Sequence, residues 1–401
     1  MSVAVVGGGP GGLMAAQVLA DAGRSVTVYE RMPSVGRKFL LAGRGGLNLT
    51  HTESLERFLD RYGSARARLA PAIGAFGPAD LRAWAEDLGE TTFVGSSGRV
   101  FPTALRATPL LRSWLRRLAE LGVVVRTGLS WDGWEADGTL RFSDRDGAIV
   151  HERADATVLA LGGASWPRTG SDGAWVPVLE DRGVSVTRLR PANCGFSVAW
   201  SAPFRDRFAG TPVKNARLAF GPFTSRGDAM ITASGIEGGP VYALAAHLRD
   251  ALDVGRSTSI VLDLLPDVTG GELTARLRRG RPRDSLSSAL GRAGLAPVGI
   301  GLLREATGNA LVADPAALSA LAKAVPVYLV GPQPLGRAIS TAGGVALDEL
   351  DDGYMLRRRP GTFLAGEMLD WEAPTGGYLL QATFSTAVAA ARGALSWLER
   401  T

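Results

Sequence analysis

Two periods alternate along the chain. Near the N-terminus, residues 3–6 (Val3, Ala4, Val5, Val6) form a run with no polar member, the pattern of a parallel strand covered on both faces. Past a cluster of glycines, residues 13–21 carry helical spacing and stop near Gly23, and residues 25–29 return to a strand that ends at Glu30. Further on, residues 108–122 read as helix, 123–126 as strand and 137–150 as a meander broken by turn residues. Residues 157–161 and 362–365 are strands that run into glycines, and an amphipathic helix spans 378–398. Between 190 and 262 the pattern shortens to brief strands, such as 194–199 and 216–220, separated by Gly and Pro. Residues 271–325 then read as two or three helices, and 325–330 as a returning strand.

The first strand leads directly into Gly7-Gly8-Gly9-Pro10-Gly11-Gly12, in which Gly7, Gly9 and Gly12 satisfy the spacing GxGxxG. That spacing between a strand and a helix has a physical purpose. The first glycine makes the tight turn, the second lets a pyrophosphate approach the backbone, and the third lets the helix pack on the strand. The free amides at the helix start, with Pro10 and Gly11 among them, then face the phosphate charge. Glu30, at the end of the second strand, stands where a carboxylate accepts from adenosine ribose hydroxyls. An acid there opposes a 2′-phosphate, which leaves FAD or NAD as the dinucleotide. Beyond Glu30 no third strand follows at once. A basic, glycine-rich loop over 31–50, containing Arg31, Arg37, Lys38, Gly43, Arg44 and Asn48, is suited to wrapping a pyrophosphate and carrying amides toward a flavin. Val125, on the strand 123–126, is placed to present its backbone to adenine.

Near the other end, the strand 362–365 opens into a glycine-rich turn, Gly366 to Gly377, ahead of the last helix. Asp370 in that turn is placed for ribityl hydroxyls. The amides of Gly377, Tyr378 and Leu379 can stabilise negative charge on the N1 and O2 edge of a reduced flavin, which raises its electron affinity. Two glycine-rich segments of this kind favour FAD over NAD.

Composition narrows the chemistry. With 401 residues, 46% of them hydrophobic, the chain can bury a sizeable core, and its length suggests two or three domains. The apolar stretch 3–20 is interrupted by Pro10, Gln17 and glycines and has no basic segment ahead of it, so no membrane segment is expected. Cys194 is the only cysteine, which excludes an intrachain disulfide or a thiolate cluster and fits a cytoplasmic location. His51, His151 and His247 show no metal-ligand spacing, so no metal is expected and the chemistry falls to an organic cofactor. The net charge of +5 is carried mostly by arginine. A run at Arg276, Arg278, Arg279, Arg281 and Arg283 ordinarily makes a solvated face, and its functional alternative is an RNA or phosphate surface. No aromatic residue is interleaved to stack on single-stranded bases.

Three segments resemble the HI0933-like flavoproteins, also described as aminoacetone oxidase-like. They are the loop 31–50, the segment Gly162-Gly163-Ala164-Ser165-Trp166-Pro167-Arg168-Thr169-Gly170-Ser171-Asp172-Gly173 with the strand before it, and the C-terminal pair Thr341-Ala342-Gly343-Gly344-Val345 and Ala365-Gly366-Glu367 to Thr375-Gly376-Gly377-Tyr378. Many members of that family carry a cysteine in the loop at Gly46-Leu47-Asn48, where this chain has Leu47. The resemblance implies an α/β fold: a discontinuous Rossmann-type FAD-binding domain (1–190 and 341–401), a small inserted antiparallel β domain for substrate (191–262 with 326–340) and a helical insertion (263–325). It adds Gly162, Gly163, Glu367 and Gly376 to the cofactor residues, agrees with Asp370, Gly377 and Tyr378, and leaves Arg44, Asn48 and Trp166 as candidates over the flavin. The activity it implies is FAD-dependent reduction of an activated carbon–carbon double bond in a small molecule or RNA, driven by NAD(P)H. No second GxGxxG is present, so the nicotinamide would visit the substrate cleft transiently. Two alternatives stand beside it: a flavin amine oxidase, and an rRNA uridine-reducing or RNA-binding flavoprotein.

Overall fold

The apolar run at the N-terminus becomes the middle of a parallel sheet. In the computed structural model, which describes residues 1–42, 46–279 and 285–401, five parallel strands lie in the order Thr362–Leu364, Ala156–Leu159, Ser2–Val6, Ser25–Glu30, Val124–Thr127. Val5 is flanked by Val158 and Val28, all three fully buried, so no polar face is left on this strand. The strand Val124–Thr127 lies at the edge, and Val125 is 39% exposed.

Helix Pro10–Asp21 begins three residues earlier than the spacing alone predicts. Pro10 takes the first helical position, where a missing N–H leaves no bond unmade. The C-terminal helix Tyr378–Leu398 buries Ala387, Ala390, Ala391 and Ala394, small side chains that let it lie close against the core. Trp114, from the helix Ala107–Glu120, is fully buried and meets Trp84 edge-on at 4.8 Å and Phe384 at 5.7 Å. The expected meander is a three-stranded antiparallel sheet of Ser130–Trp134, Leu140–Ser143 and Ile149–Glu152. The basic stretch 31–50 is not wholly loop, because Arg37–Ala42 is a helix. Six residues flanked by glycines carry too little periodicity to announce it. These elements form one unit, Met1–Arg190 with Ser340–Thr401.

The second unit, Pro191–Ile339, is built on a seven-stranded antiparallel sheet in which Pro212–Phe220 and Phe223–Thr232 form the long central hairpin. The strand expected at 194–199 contracts to Phe196–Ser197, and the returning strand Val325–Leu329 pairs with Thr258–Asp263. Helices Gly270–Arg278, Leu286–Arg292, Pro297–Ala306 and Pro315–Lys323 put Leu273, Leu290, Leu302 and Leu318 into the same core as Ile231 and Ile260 of the sheet. Helices and sheet are therefore one body rather than a β domain with a separate helical insertion.

Candidate cofactor and active site

Each glycine of the first turn meets a different environment. Gly7 has φ of +107°, and a Cβ there would collide with Ala160 O. A Cβ on Gly12 would collide with Gly7 O, so the helix start rests directly on the turn. A Cβ on Gly9 would meet nothing within 4 Å. That is the division of labour a pyrophosphate site requires: two positions closed by backbone, one open. The first bond of the helix runs from Leu13 N to Gly9 O at 2.9 Å, so the amides of Gly11 and Gly12 lie ahead of it. Gly11 in turn lies against Thr383 of the C-terminal helix, 3.4 Å from its Cγ2 to a Cβ built there, which brings the two helix starts together.

Glu30 closes the turn from the side. Its Oε2 accepts from Gly8 N and its Oε1 from Met32 N, both at 2.7 Å. Burial nevertheless pushes its carboxyl above the usual range, the two amides only partly offsetting it. Each oxygen keeps a lone pair for a further donor. Arg31 pairs with Asp172 of the second glycine segment. That segment is fixed at its start by Thr341: a Cβ on Gly163 would collide with the Thr341 hydroxyl, which accepts from Ala164 N at 2.9 Å. Gly162 has φ of +70° and packs beside Ser171. Trp166 is 39% exposed with φ of +58°, a left-handed conformation that costs a non-glycine residue about 1 kcal/mol and concentrates at functional sites.

Lys38 joins segments that are far apart in sequence. Its Nζ donates to Ser165 Oγ and to Glu367 Oε2, both at 2.7 Å. Glu367 Oε1 accepts from Thr341 N at 3.0 Å. Asp370 is held by Thr187, whose hydroxyl donates to Oδ2 at 2.7 Å. Gly376 and Gly377, with φ of +139° and +99°, lead into the C-terminal helix, and a Cβ on Gly377 would lie 2.5 Å from the Thr50 backbone. The first bond of this helix runs from Gln381 N to Gly377 O at 3.0 Å, so the amides of Tyr378, Leu379 and Leu380 precede it. Gly43 and Arg44 lie outside the described residues, as do Arg281 and Arg283 of the arginine run. Leu47, at the position of the family's cysteine, is a fully buried core residue.

Three buried polar atoms near these segments have no partner among the described residues: Arg37 Nε, Asn48 Oδ1 and Ser171 Oγ. Native interiors leave few such atoms, and each points to a group that would satisfy it. A donor, an acceptor and a hydroxyl left unpaired on the loop and the second glycine segment fit a ligand rich in phosphate and hydroxyl oxygens, and FAD is such a ligand. Among the described residues no three His, Cys, Asp or Glu side chains gather as a metal site, and no helix is long and apolar enough to cross a membrane. Sequence reasoning assigned no role to Glu53, Arg61, His51 and Tyr62, which surround Tyr378 and sit on elements between 50 and 62 that no motif marks.

A glycine turn of this geometry on a parallel sheet, with a second glycine-rich segment before a helix start, defines a dinucleotide-binding flavoprotein. The HI0933-like protein Rossmann domain matches residues 1–393, and the chain belongs to this family of FAD-dependent oxidoreductases. It is 26% identical over 408 residues to a 3-dehydro-bile acid delta(4,6)-reductase of Clostridium scindens, across 98% of each chain. It is 24% identical to the ribosomal RNA dihydrouridine synthase of Haemophilus influenzae, across 96% of each. Among solved structures, a 3-ketosteroid delta1-dehydrogenase from Sterolibacterium denitrificans superposes with a TM-score of 0.55 at 14% identity, covering 98% of this chain and 99% of that one, a likeness of fold.

Proposed function

We propose that this protein uses FAD to reduce a carbon–carbon double bond activated by a neighbouring carbonyl, with NAD(P)H as the electron donor and a small apolar molecule as substrate. The observation that carries the cofactor half is the open face of Gly9 between two closed glycines. The reaction class is supported by the full-length relatives. A delta(4,6)-reductase and a dihydrouridine synthase both bear names for hydrogen addition across such a bond. Bound there, FAD would supply the two-electron hydride chemistry that such a reduction needs.

The protein's own residues bind and orient. Glu30 accepts from the adenosine ribose, and the amides of Gly11 and Gly12 with Arg37 hold the pyrophosphate. Glu367 and Asp370 serve the ribityl chain. The first turn of the C-terminal helix, at Gly377 and Tyr378, would meet the pyrimidine edge of the flavin and favour negative charge there. Gly162 and Gly163, packed against Ser171 and Thr341, would set the course of the segment that borders the cofactor, and Val125 would border the adenine. Asn48 and the strained, exposed Trp166 are the substrate-side candidates, with Arg44. Anaerobic titration of the purified yellow protein with NADH and with NADPH, followed by 3-keto-4-ene and uracil-type oxidants, tests this. Bleaching by a nicotinamide and reoxidation by an enone is the expected result. A protein without flavin absorbance ends the reading, and reoxidation by oxygen alone, with stoichiometric peroxide from an amine, replaces it with an oxidase.

The two ribosomal RNA dihydrouridine synthases, at 24% and 25% identity, favour one second reading, an RNA substrate. Arg278 and Arg279 are exposed, whereas Arg276 donates to Ala293 O at 3.3 Å. RNA binding that falls steeply with salt, and is weakened by neutralising Arg278 and Arg279, would support it.

A further inference from the structure

The first turn of the C-terminal helix is held by more side chains than a helix start needs. Tyr378, its first residue, is 5% exposed and donates its hydroxyl to Glu53 Oε1 at 2.6 Å. Arg61 grips the same carboxylate in a fork, Nε to Oε1 at 3.0 Å and Nη2 to Oε2 at 2.8 Å. Glu53 N donates to His51 Nδ1 at 3.1 Å, and His51 Nε2 lies 2.9 Å from Ser97 O. Both contacts can be made only by a neutral ring protonated on Nε2. That ring stacks on Tyr378 at 5.6 Å. From the other side, Tyr62 donates its hydroxyl to Tyr378 O at 2.8 Å.

Charge explains why the fork is there. A lone carboxylate near a helix N-terminus stabilises the helix, but it repels any anion drawn to the same amides. Glu53 bears the carboxylate and Arg61 cancels it, while His51 and the Tyr378 phenol are neutral. The hydroxyl bond is thus available to fix the turn without adding net charge beside it.

We propose that Glu53 and Arg61 are positioning residues which, through the Tyr378 hydroxyl, fix the first turn of the C-terminal helix in a charge-neutral clamp and so raise the reduction potential of the bound flavin. This rests on the reading that this turn faces the flavin's pyrimidine edge. The clamp stabilises the reduced, anionic ring over the oxidised one, because amides held in place meet developing charge without reorganising.

Two readouts test it on the full-length protein: amide hydrogen exchange over the first hydrogen-bonded turn of this helix, residues 381–384, in the FAD-free form, and the midpoint potential of the FAD-bound form. In Tyr378→Phe, exchange over these residues is expected to quicken at least tenfold and the potential to fall. In Arg61→Met the uncompensated Glu53 carboxylate, its side chain 11% exposed, is expected to weaken relative binding of reduced flavin about tenfold, a fall of ~30 mV for a two-electron couple. Arg61→Lys is expected to recover most of that fall. Glu53→Gln serves as a third variant, and should it not fold, the other two decide, Arg61 being 47% exposed along its side chain. Unchanged exchange in both Tyr378→Phe and Arg61→Met overturns the clamp. Quickened exchange with unchanged potentials shows instead that the turn is clamped but does not face the flavin, which overturns the reading beneath it and the electrochemical claim together.

Discussion

At the scale of single residues, Gly9 and Gly12 separate binding from folding. Alanine at Gly9 has open space around it and an extended backbone with φ of −83°, which alanine adopts freely, so the FAD-free protein should keep its stability to within about 0.5 kcal/mol. On the proposed reading the same methyl would occupy the pyrophosphate face, so FAD affinity should fall tenfold or more, about 1.4 kcal/mol. Alanine at Gly12 collides with Gly7 O and should destabilise the FAD-free protein by about 3 kcal/mol. Thermal melts of both apoproteins with FAD titrations read the contrast, and equal loss of stability in the two would refute it. Glu30 supplies a pH signature. Burial raises its carboxyl above the usual range, so the folded state holds that proton more tightly than the unfolded chain. Its contribution to apoprotein stability is therefore full at low pH and is lost as pH rises from the ordinary carboxylate value through the raised one. The stability of wild type relative to Glu30→Gln should decline across that window, and on the proposed ribose contact FAD binding by the variant should be weaker at neutral pH, a charge-assisted bond being worth about 1.5–3 kcal/mol. A flat difference across the window would remove burial as the cause.

At the scale of elements, what could be read ahead of the structure was what is local. The strand, glycine turn, helix and strand of residues 2–30 announce themselves because every determinant lies within one short stretch, and so does the last helix. Helix Arg37–Ala42 gives no such signal, and the four helices between 270 and 323 were under-resolved because short runs separated by Gly and Pro share one composition. The junction at Lys38 was legible only as a basic residue in a loop. Its partner Glu367 is 329 positions away, and no periodicity links the two. That junction ties helix Arg37–Ala42, the second glycine segment, the strand Ser340–Val345 and the turn at Gly366 through Ser165, Thr341 and Glu367. The side chains of Lys38 and Glu367 are 25% and 16% exposed, so losing the cation leaves a largely desolvated carboxylate. Lys38→Met should cost about 2 kcal/mol, below the 3–5 kcal/mol typical of a fully buried pair. It should also loosen FAD, whereas Lys38→Arg recovers part of both. A variant with full stability but weakened FAD binding would instead assign Lys38 to the cofactor alone.

At the scale of the whole molecule, every cofactor candidate among the described residues falls in one unit, although the sequence scatters them from Gly7 to Tyr378. Residues 191–339 form a continuous insertion with their own buried core, from Cys194 to Ala338. The strands Val186–Ala192 and Ser340–Val345, which lead out of the first unit and back into it, are neighbours in a two-stranded sheet. A short Gly-Ser linker can therefore join residue 190 to residue 340, and closing so short a loop costs little entropy. The shortened protein should fold, take up FAD and show its visible spectrum, yet, on the proposed activity, lose any enone turnover found in the intact protein. The excised segment 191–339 should fold alone without flavin, since its sheet and helices share one core. If the shortened protein folds but takes up no flavin, the cofactor site draws on the second unit as well. If it keeps full turnover, the second unit has no part in handling substrate, and Asn48 and Trp166 of the first unit must suffice.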